Sequence, residues 1–182
     1  MPYMSYHNTK EEAVKNAARF IQEGKADAVK LEGGFKRKDI IEAIISAEIP
    51  VMGHLGLTPQ SKNMMGGYKV QGKTLELATQ LLEEAVLLET LGCFSMVLEG
   101  VPSIVAEVLT EKVSIPIIGI GAGANVDGQV LVLHDMLGVD PAISPKFFRK
   151  YANTNELITH ALDKFHDDVM SECFPAPVES YK

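Results

Sequence analysis

The chain has 182 residues, 46% of them hydrophobic and 23% charged, with a net charge of −7. That length suits one domain with a sizeable core, and the acidic balance argues against a nucleic-acid partner held by phosphate neutralisation or an anionic membrane surface. No apolar stretch approaches the ~20 residues of a membrane span, and the first residues lack the basic-then-apolar pattern of a leader.

In chain order the pattern is a helix, then strands and helices in alternation. Thr9 and Glu12 read as a capping box, with Ala13, Val14, Ala17, Ala18 and Ile21 on one face and Gly24 as the stop. A strand follows through Lys30 to Glu32, then a helix from Lys38 to Ala47 whose start carries the solvated cluster Lys36-Arg37-Lys38. A second strand runs from Ile49 to His54. Residues 56–73 form a polar, glycine-rich segment without periodicity, which suggests a functional loop. A long helix spans Leu75 to Leu91 and stops at Gly92, followed by a strand ending at Glu99. Pro102 opens a helix to Lys112. Strands are expected over Ile115–Ile120 and Val130–His134, and an amphipathic helix over Asn155–Met170. Such alternation demands a parallel sheet, either doubly wound or part of a (β/α)8 barrel.

Cys93 and Cys173 are far apart and have no CxxC spacing or companion histidine. A disulfide framework or zinc site is therefore not expected, and a reduced cytoplasmic setting is. Cys93, at a strand start, reads as a small core residue.

Three apolar runs end in an ionisable residue beside glycine: Ala28-Val29-Lys30-Leu31-Glu32-Gly33, Val51-Met52-Gly53-His54-Leu55-Gly56 and Met96-Val97-Leu98-Glu99-Gly100. Charge is costly to bury at a strand end, and the carboxyl ends of parallel strands share the rim where ligands bind. Lys30 and Glu32 lie two apart on one face, either as a solvated couple or as a site for a hard cation and an anionic substrate. His54 is either a satisfied core histidine or a hydrogen-bonding group for a substrate carbonyl. Glu99 either caps the next helix or serves as the general base for a weakly acidic C–H. The stretch Gly119–Ala124 superficially fits GxGxxA, but another apolar strand follows it rather than a helix. Close backbone approach to a ligand or a neighbouring strand explains those glycines better than a dinucleotide.

These residues together resemble one family, ketopantoate hydroxymethyltransferase (3-methyl-2-oxobutanoate hydroxymethyltransferase). The matching stretches are VKLEGG (29–34), VMGHLGLTPQS (51–61), GGYKVQGKT (66–74), VLEGVP (97–102), IPIIGIGAG (115–123) and DGQVLVLHDMLG (127–138), with MPYMSY at the start. The resemblance implies a (β/α)8 barrel of the phosphoenolpyruvate/pyruvate type, cytoplasmic and assembled into a large homo-oligomer, a decamer. It implies Mg²⁺ and transfer of a hydroxymethyl group from 5,10-methylenetetrahydrofolate to the small 2-oxo acid 3-methyl-2-oxobutanoate, in pantothenate biosynthesis. By the same resemblance Glu99 is the proton acceptor, Lys30 and His54 belong to the substrate pocket, and Glu32 to the metal site.

The resemblance covers the family's C-terminal two-thirds. Family members carry three further strands ahead of MPYMSY, with two metal-binding aspartates. Residues 1–182 are therefore expected to form a single incomplete barrel domain, with one metal carboxylate of three and little activity alone. Two rivals remain: a non-catalytic subunit or binding module assembling through open barrel edges, and a nucleotide-binding doubly wound domain resting on residues 119–124.

Overall fold

The protein is described here by a computed structural model, which defines residues 1–140 and 145–181. These fall into two compact units, Met1–Val130 and Leu131–Lys182.

The first unit begins with α1 (Lys10–Gln22), whose buried stripe is Ala13 and Ala17. Thr9 caps it by accepting the Glu12 N–H at 3.1 Å. The Glu12 carboxylate turns to Asn8 instead, at 3.0 Å, so only half of the expected capping box forms. Next come β1 (Val29–Lys30), α2 (Lys38–Ser46) and β2 (Val51–Gly56). The following loop holds a 3-10 turn (Pro59–Ser61) and the short α3 (Lys62–Met65). It leads into α4 (Leu75–Leu91), capped by Thr74 and ended by Gly92 in the left-handed region. β3 (Ser95–Glu99), α5 (Ser103–Lys112), β4 (Ile117–Ile120) and β5 (Gly128–Gln129) complete the unit.

All five strands are parallel, in the order β1-β2-β3-β4-β5. A doubly wound sheet reverses its strand order at a switch point, and this order has no reversal. Right-handed crossovers that always step the same way leave the helices on one face. A Cβ placed on Gly53 would stand 2.6 Å from Leu88 Cδ1, so α4 covers the face that Gly53 shares with Val51 and Leu55. Val51, Leu55, Met96, Leu98 and Ile117 are buried on that face and form the core with the helices.

β2 lies two residues later than the expected Ile49–His54 and β4 begins at Ile117 rather than Ile115, and two strands differ more. Only Val29 and Lys30 form β1, although the Leu31 and Gly33 N–H groups still donate to Met52 and His54 carbonyls at 3.3 and 3.0 Å. The last strand lies at Gly128–Gln129, not at Val130–His134. Asp127 sets this earlier register: its carboxylate accepts the Ile117 N–H at 2.8 Å, and its own N–H donates to the Ile117 carbonyl at 3.1 Å. The apolar run beyond it turns instead into α6 (Leu133–Leu137) of the second unit, closed by Gly138 at φ 65°.

The second unit also holds α7 (Thr154–Met170), of which no residue is buried. Ile158, Leu162, Phe165 and Val169, at helical spacing, are all exposed on it. Among the described residues, no helix is long and apolar enough to cross a membrane.

Candidate active site

Paired residues on neighbouring strands share a face of the sheet, and side chains two apart on a strand do so as well. Lys30 pairs with Met52, His54 with Val97, and Gly56 with Glu99. Lys30, His54 and Glu99 therefore lie on one face, each two residues further along than the last. That is the face opposite Gly53 and the covering helix α4.

The three side chains form a continuous chain of contacts. Lys30 Nζ lies 3.1 Å from His54 Nδ1, and His54 Nε2 lies 3.1 Å from Glu99 Oε2. An ammonium can only donate, so Nδ1 accepts and the ring proton of a neutral imidazole sits on Nε2, facing the carboxylate. That second contact is close but poorly aligned: Nε2 is a buried nitrogen without a well-directed hydrogen bond. The histidine is 3% exposed, so its ring is fixed by burial rather than by solvent. Lys30 at one end is exposed, and the Glu99 side chain is 15% exposed at the other.

Both nitrogens of His54 contact ionisable side chains. Glu99 does not cap α5, which begins at Pro102 with no side-chain cap.

Glu32 is held differently. Its carboxylate accepts the Gln60 N–H at 2.9 Å, and its own N–H donates to the Tyr6 hydroxyl at 3.2 Å. Tyr6 in turn donates to the Gln60 side-chain carbonyl at 2.5 Å. Burial holds the Tyr6 phenol above its ordinary range. Among the described residues, no hydrogen bond or ion pair joins Glu32 to Lys30, His54 or Glu99. Sequence reading did not single out Tyr6 or Gln60. The N-terminal segment holds two tyrosines, Tyr3 at 64% exposed and Tyr6 at 1%, and no local pattern tells them apart.

A Mg²⁺ site needs several oxygen ligands in near-octahedral geometry. Among the described residues, no group of three or more His, Cys, Asp or Glu side chains could hold a metal. Glu32 offers a single carboxylate with one oxygen already engaged, so these residues by themselves do not fit the ion.

The glycines at 119–124 pack rather than cradle a ligand. A Cβ on Gly119 would lie 2.9 Å from Val126, and one on Gly123 would lie 2.5 Å from Ser103 Cβ. No helix opens after them, as a dinucleotide fingerprint requires.

A lysine, a histidine and a glutamate in contact on one face of three adjacent parallel strands define an α/β protein with a candidate site on that face. The chain matches the family described as ketopantoate hydroxymethyltransferase over residues 1–177, and it belongs to that family. It is 55% identical, over 97% of its length, to the 3-methyl-2-oxobutanoate hydroxymethyltransferase of Syntrophomonas wolfei, and covers 64% of that protein. It is 54% identical to the enzyme of the same name from Clostridioides difficile, over 100% of this chain and 66% of the relative. For the Koribacter versatilis protein of that name the identity is 53%, over 100% of this chain and 61% of the relative. The chain thus spans somewhat less than two-thirds of the length of these curated relatives. An isomerase from Streptomyces coelicolor A3(2) matches 63% of this chain and 28% of its own at 20% identity and TM-score 0.44, too slight a likeness to bear on the fold.

Proposed function

We propose that this chain provides the proton-abstracting half of a 3-methyl-2-oxobutanoate hydroxymethyltransferase site. The contact chain Lys30–His54–Glu99 carries the reading. Glu99 takes the C3 proton of the 2-oxo acid. The Lys30 ammonium holds the negative charge of the substrate carboxylate and of the enolate that develops. His54 lines the pocket and, with its ring locked between the two, keeps lysine and glutamate apart at a fixed span. Water releases the one-carbon unit of 5,10-methylenetetrahydrofolate as formaldehyde, breaking its two C–N bonds and leaving tetrahydrofolate; the nucleophilic C3 adds to the aldehyde carbon, and the alkoxide that forms takes back the proton held by Glu99 to become the hydroxymethyl group. The family membership and the relatives' names support the reaction class.

Glu32 is the metal-site residue of this proposal, contributing one carboxylate oxygen. Any Mg²⁺ bound there needs donors beyond the described residues, and no step above is routed through it.

The sequential strand order and one-sided helices support a (β/α)8 barrel, of which residues 1–182 contribute one incomplete domain. Full turnover belongs to the complete barrel, and the chain alone turns over weakly. We assign the enzyme to the cytoplasm as a homo-oligomer. A second reading, a non-catalytic module assembling through open edges, draws on the exposed apolar stripe of α7 and on strand edges that lack partners among the described residues.

Calorimetric titration with 3-methyl-2-oxobutanoate tests the first reading. Binding that weakens about tenfold or more in Lys30→Met supports it. Equal binding by wild type and Lys30→Met contradicts it, and no binding by a chain that self-associates favours the module.

A further inference from the structure

The segment that leaves β2 touches the ends of both neighbouring strands. The Leu57 N–H donates to the Glu99 carbonyl of β3 at 2.7 Å. Further on, the Gln60 N–H donates to the Glu32 carboxylate, just beyond β1, at 2.9 Å. The stretch between these two contacts is stiff. Leu57 and Thr58 are buried, Pro59 fixes its own φ, and the Ser61 N–H closes a turn on the Thr58 carbonyl at 2.8 Å. Residues 57–60 thus bridge the ends of β1 and β3 across the end of β2.

The Gln60 side chain is locked through both of its polar atoms. Its carbonyl accepts from the Tyr6 hydroxyl at 2.5 Å, and its amide nitrogen donates to the Met1 carbonyl at 3.0 Å. The same hydroxyl accepts the Glu32 N–H at 3.2 Å, which closes a ring of hydrogen bonds through Tyr6, Gln60 and Glu32. Tyr6 is itself held in place: it is buried, its ring centroid lies 4.2 Å from that of His7, and the Arg37 guanidinium stands 5.8 Å over it. Burial also raises its phenol, so the hydroxyl keeps the proton that it donates to Gln60. The far foot of the segment is pinned as well, with the Gln71 N–H donating to the Gly100 carbonyl at 2.9 Å. The outer part folds on itself: the Gly67 N–H donates to the Lys62 carbonyl at 3.0 Å, and Lys62 Nζ lies 4.6 Å over the exposed Tyr68 ring.

We propose that Gln60, locked by Tyr6, is a positioning residue that sets where Glu99 stands for proton transfer. The inference rests on the reaction assigned above. Glu99 ends its strand and is followed by Gly100 at φ 58°, a residue that gives the backbone little stiffness of its own. The Glu99 carbonyl is held by Leu57, and the stiff stretch from Leu57 is held by the Tyr6–Gln60–Glu32 ring. A shift of that stretch carries the Glu99 peptide with it, and a small misplacement of a general base costs rate. Lys30 is set by its pairing with Met52 and its contact with His54, and neither passes through Gln60. Loss of the clasp therefore acts on the rate of proton abstraction and spares the hold on the substrate carboxylate.

The test sets the rate of C3 exchange of saturating 3-methyl-2-oxobutanoate in D₂O, read by NMR, against affinity for the acid, read by calorimetry. Tyr6→Phe keeps the ring and removes the hydroxyl. It is expected to slow exchange about tenfold per folded chain and leave affinity unchanged. Gln60→Leu, at a half-buried position, is expected to do the same. The double variant should be no slower than the slower single one, because both changes break one clasp. Tyr68→Ser loosens only the outer part of the segment and should exchange at the wild-type rate. A merely structural clasp would lower the melting temperature and leave the exchange rate of folded chains where it was. Wild-type exchange in Tyr6→Phe, effects that multiply in the double variant, or equal slowing in Tyr68→Ser overturns the role of Gln60 and leaves the assigned reaction standing. A wild-type chain that does not exchange C3 overturns the reaction, and the positioning role with it.

Discussion

His54 and Glu99 face each other across neighbouring parallel strands, with Nε2 3.1 Å from Oε2 and the ring 3% exposed. The carboxylate has the imidazole beside it without a well-directed hydrogen bond, so it keeps an oxygen for another proton. Lys30, 3.1 Å from the far nitrogen, fixes which tautomer the ring adopts.

Replacing the imidazole should therefore act through placement of its neighbours. His54→Gln is expected to slow proton abstraction about tenfold to a hundredfold at saturating 2-oxo acid, because a small misplacement of a reacting group is that costly. Binding of the acid should change less than in Lys30→Met. Rate and affinity measured side by side check this, and a variant that loses affinity but not rate contradicts it.

Two glycines of β2 should differ sharply. A Cβ on Gly56, at φ +84°, would sit 2.2 Å from the Glu99 carbonyl oxygen, which is backbone and cannot swing away. A Cβ on Gly53 would meet the tip of Leu88, which can rotate. Urea unfolding should show Gly56→Ala losing about 3 kcal/mol or more and Gly53→Ala about 1–2 kcal/mol. Equal losses would contradict the packing described.

The two thiols should react at very different rates. Burial pushes the Cys93 thiol up to about 11, while Cys173 is exposed. A thiol reagent at pH 8 should label Cys173 rapidly in the native chain and Cys93 only after unfolding. Fast labelling of both would show that the core around Cys93 opens readily.

Glu84 should leave a pH signature in stability. Desolvation raises its carboxyl above the ordinary value of 4.5, offset in part by the Phe35 N–H, Gln80 and Lys36. A raised carboxyl favours folding while protonated. That contribution is fully present below pH 4.5 and is lost as pH rises through the folded-state value. Glu84→Gln keeps an acceptor for Phe35 and removes the desolvated charge. It should be at least as stable as wild type at pH 7 and lose that advantage below pH 4.5. Thermal melts across that range check the sign; a variant much less stable at pH 7 reverses it.

What could be read from the sequence was local. α4 runs over Leu75–Leu91 and stops at Gly92, as periodicity and the glycine lead one to expect; its cap, Thr74, was not read. The strand ending at Glu99 also stands where the apolar run and its glycine placed it. What could not be read depended on distant partners. The bracket on Glu32 joins Tyr6 to Gln60, 54 positions apart, and no local pattern encodes it. The position of β5 follows from Asp127 binding the backbone of Ile117, which an apolar run at 130–134 does not reveal. The double engagement of His54 follows from the register of three strands. That same strand order decides against the doubly wound sheet, which composition and alternation had left open.

The most direct test of the central claim is hydrogen–deuterium exchange at C3 of 3-methyl-2-oxobutanoate, followed by NMR with the chain in D₂O. This half-reaction needs no folate. Exchange above the buffer rate that falls about a hundredfold or more in Glu99→Gln, with the fold intact, is the predicted result. Exchange that persists unchanged in Glu99→Gln, or no exchange by a chain that binds the acid, would contradict Glu99 as the base.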